Sequence, residues 1–204
     1  MWHSLSVSVA LICIASVVQG LDLKSANDQP CFKIPNPKTP ILDMKWVNSI
    51  NPLYFPAMST DNLYRASLNV LQKEARDVSF ATVYYDACLK WYIFDNGTTV
   101  ATGFNGLRTE YKTKPLKDNP DAFTFVGVGV DKDFYSGTLY TTLTDNKSFF
   151  FGAICMKNGE MAWGVGSTTP TLTEETKKIV FDHAVSLGFN KEDFTELKYD
   201  TCRN

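Results

Sequence analysis

The chain has 204 residues, with 20 Lys and Arg against 22 Asp and Glu and a formal net charge of −2. A near-neutral surface with scattered basic residues speaks against nucleic acid or an anionic membrane as partner. The length is enough for one well-cored domain, and no run is long and apolar enough to insert in a membrane.

In chain order, "LSVSVALICIASVV" is a short apolar run, and Val18-Gln19-Gly20 supplies small residues where a signal peptidase selects them. Residues 1–20 are expected to be a signal peptide, leaving a single secreted domain over 21–204. Cys13 leaves with the leader. Cys31, Cys88, Cys155 and Cys202 remain, and an even count in an oxidising compartment predicts two disulfides. Sequence alone allows three pairings. No pair has C-x-x-C spacing, so neither a zinc site nor a redox motif has support.

"DQPCFKIPNPKTPILD" follows, and its prolines predict an extended strap. "MKWVNSI" (44–50) reads as a short strand. Residues 60–77 carry Leu63, Ser67, Val70, Leu71 and Ala75 near helical spacing, with Thr60 or Asp61 as cap. From Val78 onward strand signals dominate. "ACLKWYIF" (87–94) meets Asp95-Asn96-Gly97, a strong hairpin signal, and then "TTVATGFN" (98–105) and "LRTEYKTK" (107–114). A polar break, "PLKDNPD", precedes "AFTFVGVGV" (122–130), "SGTLYTTLT" (136–144), "SFFFGAICM" (148–156) and "EMAWGVGS" (160–167).

Eight short strands at hairpin spacing leave no room for crossover helices, so the chain reads as an antiparallel meander. Such a meander removes its edges by closing into an up-and-down barrel. The expected class is therefore all-β, an eight-stranded antiparallel barrel with one C-terminal helix packed outside. That helix begins at a capping box, Thr171 with Glu174, buries Val180, Ala184 and Leu187, and stops at Gly188. A short strand near 194–200 leads to Cys202. Two sequons, Asn96-Gly97-Thr98 and Asn146-Lys147-Ser148, fall at predicted turns and are expected glycosylation acceptors.

"TLTDNKSFFFGAIC" resembles the corner between the sixth and seventh strands of lipocalins, and "ACLKWYIFDNGTTV" is similar to an arthropod lipocalin hairpin. "TPTLTEETKKIVFDHAVSLGFNKEDFTELKYDTC" looks like the family's helix and tail. Together these stretches resemble the arthropod-type lipocalins, such as bilin-binding proteins and cockroach allergens. Two features depart from that pattern. Met44-Lys45-Trp46 keeps the tryptophan of the family's Gly-x-Trp on the first strand without the glycine, and Ser167-Thr168-Thr169 lacks the usual arginine before the helix. Alternatively "VSFATVYY" is the first strand and Trp46 belongs to the strap. The 60–77 helix would stand near the barrel mouth as a lid.

The resemblance implies the bridges Cys31–Cys155 and Cys88–Cys202, each contributing about 2–4 kcal/mol. With Cys155 facing the strap, strand alternation turns Phe150, Gly152, Ile154 and Met156 inward. Matching neighbouring strands to the family adds Val100, Thr102, Phe104, Leu139, Thr141 and Leu143, with Tyr135 near the mouth. This apolar lining with a few hydroxyls suits a small hydrophobic molecule. Glycines at 127, 129, 137, 152, 164 and 166 leave space or mark bends. The resemblance implies no required cofactor and a bound pigment or lipid: a bilin, carotenoid, retinoid or fatty acid. Pheromones and biogenic amines are further members of that ligand set, although no predicted inward position is acidic, as an amine would prefer.

Catalytic and metal signatures are weak. His183 is the single histidine outside the leader and lies on a helix, far in sequence from any serine with a nucleophile-elbow context. "DKDFYSG" (131–137) places Tyr135 at a ligand position of an EF-hand loop, and "GVGVD" lacks the third glycine of a dinucleotide fingerprint, so no metal or nucleotide is expected. The expected function is that of a non-enzymatic secreted carrier of a small hydrophobic ligand. The alternative is a secreted protein-interaction module whose barrel is packed shut. Oligomeric state is not legible from the sequence.

Overall fold

Runs of strand-forming residues separated by tight turns enter one sheet, which returns to its own first strand. The computed structural model describes residues 31, 34, 41–59, 88–94, 96–103, 107–128, 136–157, 159–200 and 202. The expected leader, most of the strap, the 60–77 helix and "VSFATVYY" lie outside the described residues.

Helix α1 (Met44–Ser49) comes first, followed by strands β1 (Leu53–Met58), β2 (Lys90–Ile93), β3 (Thr98–Gly103) and β4 (Leu107–Leu116). Strands β5 (Asn119–Gly127), β6 (Gly137–Thr144), β7 (Phe149–Met156) and β8 (Met161–Ser167) continue the meander. Helix α2 (Glu174–Ser186) and strand β9 (Thr195–Glu196) end the order. Sequential strands pair antiparallel from β2 to β8, and β1 pairs with both β8 and β2, closing an eight-stranded barrel. Closure is the expected solution to the edge problem. Where β2 ends its contact with β1, β9 takes over the same edge through Ala57–Glu196 and Met58–Thr195.

Residues 44–50 form a helix instead of the expected strand. Asp43 caps it, its carboxylate accepting from the Lys45 amide, and Leu42, Val47 and Ile50 are buried in the barrel core. The strand that closes the barrel is Leu53–Met58, a segment to which the sequence reading gave no element; it contains Pro56 and follows Pro52, and proline argues against a paired strand. A register irregularity between Tyr54 and Ala57 accommodates Pro56. Trp46 accordingly sits on α1, its ring edge-on to Phe150 at 6.4 Å. The polar break at 115–121 is also absorbed: β4 runs to Leu116 and β5 starts at Asn119, leaving only Lys117 and Asp118 in the turn.

At the end of the barrel covered by α1, two polar side chains hold the entering chain. Asp121 is 1% exposed and accepts from the amides of Ile41 and Leu42 at 3.0 and 2.9 Å. In the β6–β7 corner Asn146 has φ +53 and uses both amide atoms, accepting from Asp43 N–H and donating to Ile41 C=O. Beside it, burial pushes the Asp145 carboxyl up. The Ser148 hydroxyl and the amides of Ser148, Lys147 and Phe149 outweigh that and hold it at about 2. The Thr-Asp-Asn corner is thus a clamp between a hairpin and the chain that plugs the base.

Outside the barrel, α2 buries Val180 and Ala184 against Phe151, Trp163 and Val165. The N-cap is Thr173, accepting from Thr176 N–H, and not Thr171, whose carbonyl instead accepts from the Thr169 hydroxyl. Gly188 stands at φ +90 just past the helix, the conformation a helix stop needs. His183 hydrogen-bonds Thr142 Oγ1 at 2.8 Å and packs edge-on to Phe151, so its role is to join helix to barrel. The bridges are Cys31–Cys155 and Cys88–Cys202. Near the second bridge, half-buried Tyr199 accepts from Phe55 N–H at 3.0 Å and donates to Leu89 C=O at 2.5 Å. It thereby ties the tail to β1 and to the lead-in of β2.

Tyr199→Phe strips a partner from both backbone groups and is expected to cost about 1–3 kcal/mol, read from the urea midpoint. Burial holds the His183 pKa below its ordinary 6.5. The unfolded chain therefore takes up the proton first, so His183 contributes stability above pH 6.5 that is lost as pH falls toward the lowered value. Comparing denaturation midpoints at pH 7.5 and 5.5 checks this, and His183→Gln should flatten the difference.

Candidate functional site

The inner wall of the barrel is uneven. Large rings crowd one side: Phe55, Trp91, Tyr111 and Phe125 form a continuous layer with centroid separations of 4.8 to 6.5 Å. On the β7–β8 side, Gly152, Gly164, Gly166 and Ala162 offer almost no side-chain volume. Neighbours recline into these notches. A Cβ on Gly166 would lie 2.4 Å from the Phe150 ring, and one on Gly152 would lie 3.0 Å from the Leu139 side chain. Those two side chains lie against the wall of β7 and β8.

The result is a cavity of about 80 Å³ between the aromatic layer and α1. Leu42, Met44 and Val47 close its base. Its walls come from Leu53 on β1, Trp91 and Ile93 on β2, Thr99 on β3 and Thr113 on β4. Phe123 and Phe125 on β5, Leu139 and Thr141 on β6, and Phe150 on β7 complete them. Among the described residues, no charged side chain lines it. The polar groups are threonine hydroxyls, and Thr141, 1% exposed, has no hydrogen-bond partner for its Oγ1 among the described residues. An unpaired buried hydroxyl costs free energy that a partner would recover.

Leu139, Thr141 and Phe150 of the expected lining stand around this cavity, and Ile154 and Met156 belong to the same interior cluster. Leu143 does not face the cavity. A bulge between Thr141 and Leu143 shifts the alternation, pairing Leu143 with Phe151 and packing it on the α2 side. Val100 and Thr102 are displaced by one residue of register: Thr99 and Ala101 face inward, so Val100 and Thr102 take the opposite face of β3. The tight turn at Asn96-Gly97, with Gly97 at φ +74, starts the strand at Thr98 and sets that phase. Phe104 and Tyr135 lie outside the described residues.

The base residues of α1, and Leu53 with them, were hidden from sequence reading because the segment was assigned a different element. Trp91, Ile93, Phe123 and Phe125 were within reach, since strict alternation along "KWYIF" and "AFTFV" places them on one face. The sequon residue Asn96 is exposed, whereas Asn146 is engaged at the base.

A closed eight-stranded up-and-down barrel, plugged at one end by a short helix and flanked by a second helix on its outer wall, has the lipocalin-family fold. One structure comparison supports it. A mutant of LTBP1 in complex with leukotriene C4 is similar at a TM-score of 0.52 and 10% identity, covering 78% of this chain and 89% of that one. Lobster apocrustacyanin A1 aligns at 0.48 and 12% identity over 80% and 89% of the two chains. Apocrustacyanin C1 aligns at 0.48 and 12% over 83% and 92%. No family model matches the sequence, and no curated protein matches it.

Gly166→Ala is expected to lift the Phe150 ring off the β8 wall and into the cavity. In the parent protein, xenon should perturb the NMR signals of Leu139 and Thr141, as gas does in dry apolar cavities. In the variant those perturbations should be lost.

Proposed function

We propose that this protein is a secreted, non-enzymatic carrier that holds a small hydrophobic molecule in its barrel. The observation that carries the reading is the apolar cavity, lined in part by Thr141, whose buried hydroxyl has no partner among the described residues. Burial of apolar surface would supply the affinity, and a hydroxyl would orient the polar end. Drug-sized ligands fill roughly 300–1,000 Å³, so the cavity as it stands receives one end of a ligand, and the aromatic layer turns aside for the remainder. The complex of the similarly folded LTBP1 with leukotriene C4 is consistent with a barrel of this kind taking a lipid-like ligand. No cofactor is required in this reading, and the cargo is a pigment or lipid.

Secretion is supported by the two disulfides, which persist in oxidising compartments, and by the leader-like first twenty residues. In this proposal the mature chain is the single domain 21–204. Asn96, exposed in its turn, is the favoured glycan acceptor.

One observation favours the second reading, a protein-interaction module: the aromatic layer fills the middle of the barrel. Native mass spectrometry of protein purified gently from its source, beside the same sample denatured without reductant, separates the two. A mass of a few hundred daltons lost on denaturation is expected. Protein bare in every preparation, and unshifted by hydrophobic fluorophores, would sink the carrier reading and promote the interaction module.

A further inference from the structure

The cavity restricts which end of a ligand it can take. Thr141 lines it, and its Oγ1, both donor and acceptor, is buried with no protein partner among the described residues. The nearby acidic side chain at the base, Asp121, is not available to a ligand cation. It already accepts from the Ile41 and Leu42 amides and is not among the lining residues. Among the described residues, no lysine, arginine or histidine lines the cavity to receive an anion. A carboxylate or ammonium drawn in here would lose its hydration with no opposite charge in return, a heavy penalty. A hydroxyl, carbonyl or ether oxygen would lose far less, and Thr141 would return part of it.

We infer that the ligand enters with an uncharged oxygen-bearing end, an alcohol, aldehyde, ketone or ether, which hydrogen-bonds Thr141 beneath Met44 and Val47 of α1. This rests on the carrier reading and narrows it to neutral lipophiles. Free fatty acids bound carboxylate-first and biogenic amines fall outside it. Thr141 is the specificity-determining residue. Its position one step before the bulge of β6 is what keeps its hydroxyl inside while Leu143 is turned out to the helix.

The test uses the full chain and four six-carbon probes: 1-hexanol, 1-hexene, hexanoate and hexylammonium. Binding is followed by the fluorescence of Trp91, which lines the cavity. Hexanol should bind at least about tenfold more tightly than either ion. Hydrogen bonds of this kind contribute about 0.5–1.5 kcal/mol, so the hexanol-over-hexene preference should be about three- to tenfold. In Thr141→Val, nearly the same shape without the hydroxyl, that preference should vanish. The melting temperature of the empty variant should hold or rise, because a buried unpaired hydroxyl has been removed. Hexanoate or hexylammonium binding as tightly as hexanol, or an undiminished alcohol preference in the variant, would overturn the inference and leave the carrier reading standing. Failure of all four probes, hexene included, to bind at millimolar concentration would overturn both.

Discussion

Closure of the sheet depends on six residues. Leu53–Met58 pairs along one edge with β8 and along the other first with β2 and then with β9. Without it, β2 and β8 would each present a row of unpaired amides and carbonyls, and the barrel would be an open sheet. The supports around β1 are correspondingly dense. Tyr199 reaches its backbone at Phe55, and Ser59 at its end bonds Trp163 on β8. The Cys88–Cys202 bridge holds the tail that carries β9. Burial raises the Tyr199 pKa above the usual phenol range, which favours the protonated hydroxyl that donates to Leu89 C=O.

Once the barrel is closed, its interior is decided by volume. Rings on β1, β2, β4 and β5 face glycines and alanine on β7 and β8. A uniform lining would have packed solid. The asymmetry lets Phe150 and Leu139 recline, and space remains at the base where α1 lies across it. The α1 plug is held by polar groups: buried Asp121 and the corner residue Asn146 together take the amides of residues 41–43, of which that of buried Leu42 would otherwise lack a partner. Hydrogen bonding at the base and apolar packing along the wall therefore jointly make the cavity.

The outer surface tells a separate story of helix attachment. Trp163 stacks between Phe151 and Phe194 and meets Phe181 edge-on. Residues alternating with the inner glycines thus supply the bulk that anchors α2. On β8 the small residues Ala162, Gly164 and Gly166 face in, while Trp163 and Val165 face the helix.

Local chemistry was enough to read the meander, the turn at Gly97, the α2 stripe and its stop at Gly188, because each depends on a few neighbouring residues. The inward face of β7 needed one thing more: Phe150, Ile154 and Met156 follow from alternation about Cys155 once the family resemblance pairs that cysteine with the strap. Three things required the tertiary structure. Residues 44–50 have no strong intrinsic preference, and the need to cover the barrel base makes them a helix. Leu53–Met58 contains a proline that argues against a strand, and only pairing on both edges overrides it. The faces of Leu143, Val100 and Thr102 turn on a bulge and a turn phase, and a shift of one residue reverses every side chain beyond it. What the sequence by itself determined was the barrel and its period. Which side chains share the cavity was decided by long-range register, because alternation is local while its phase is set by the partner strand.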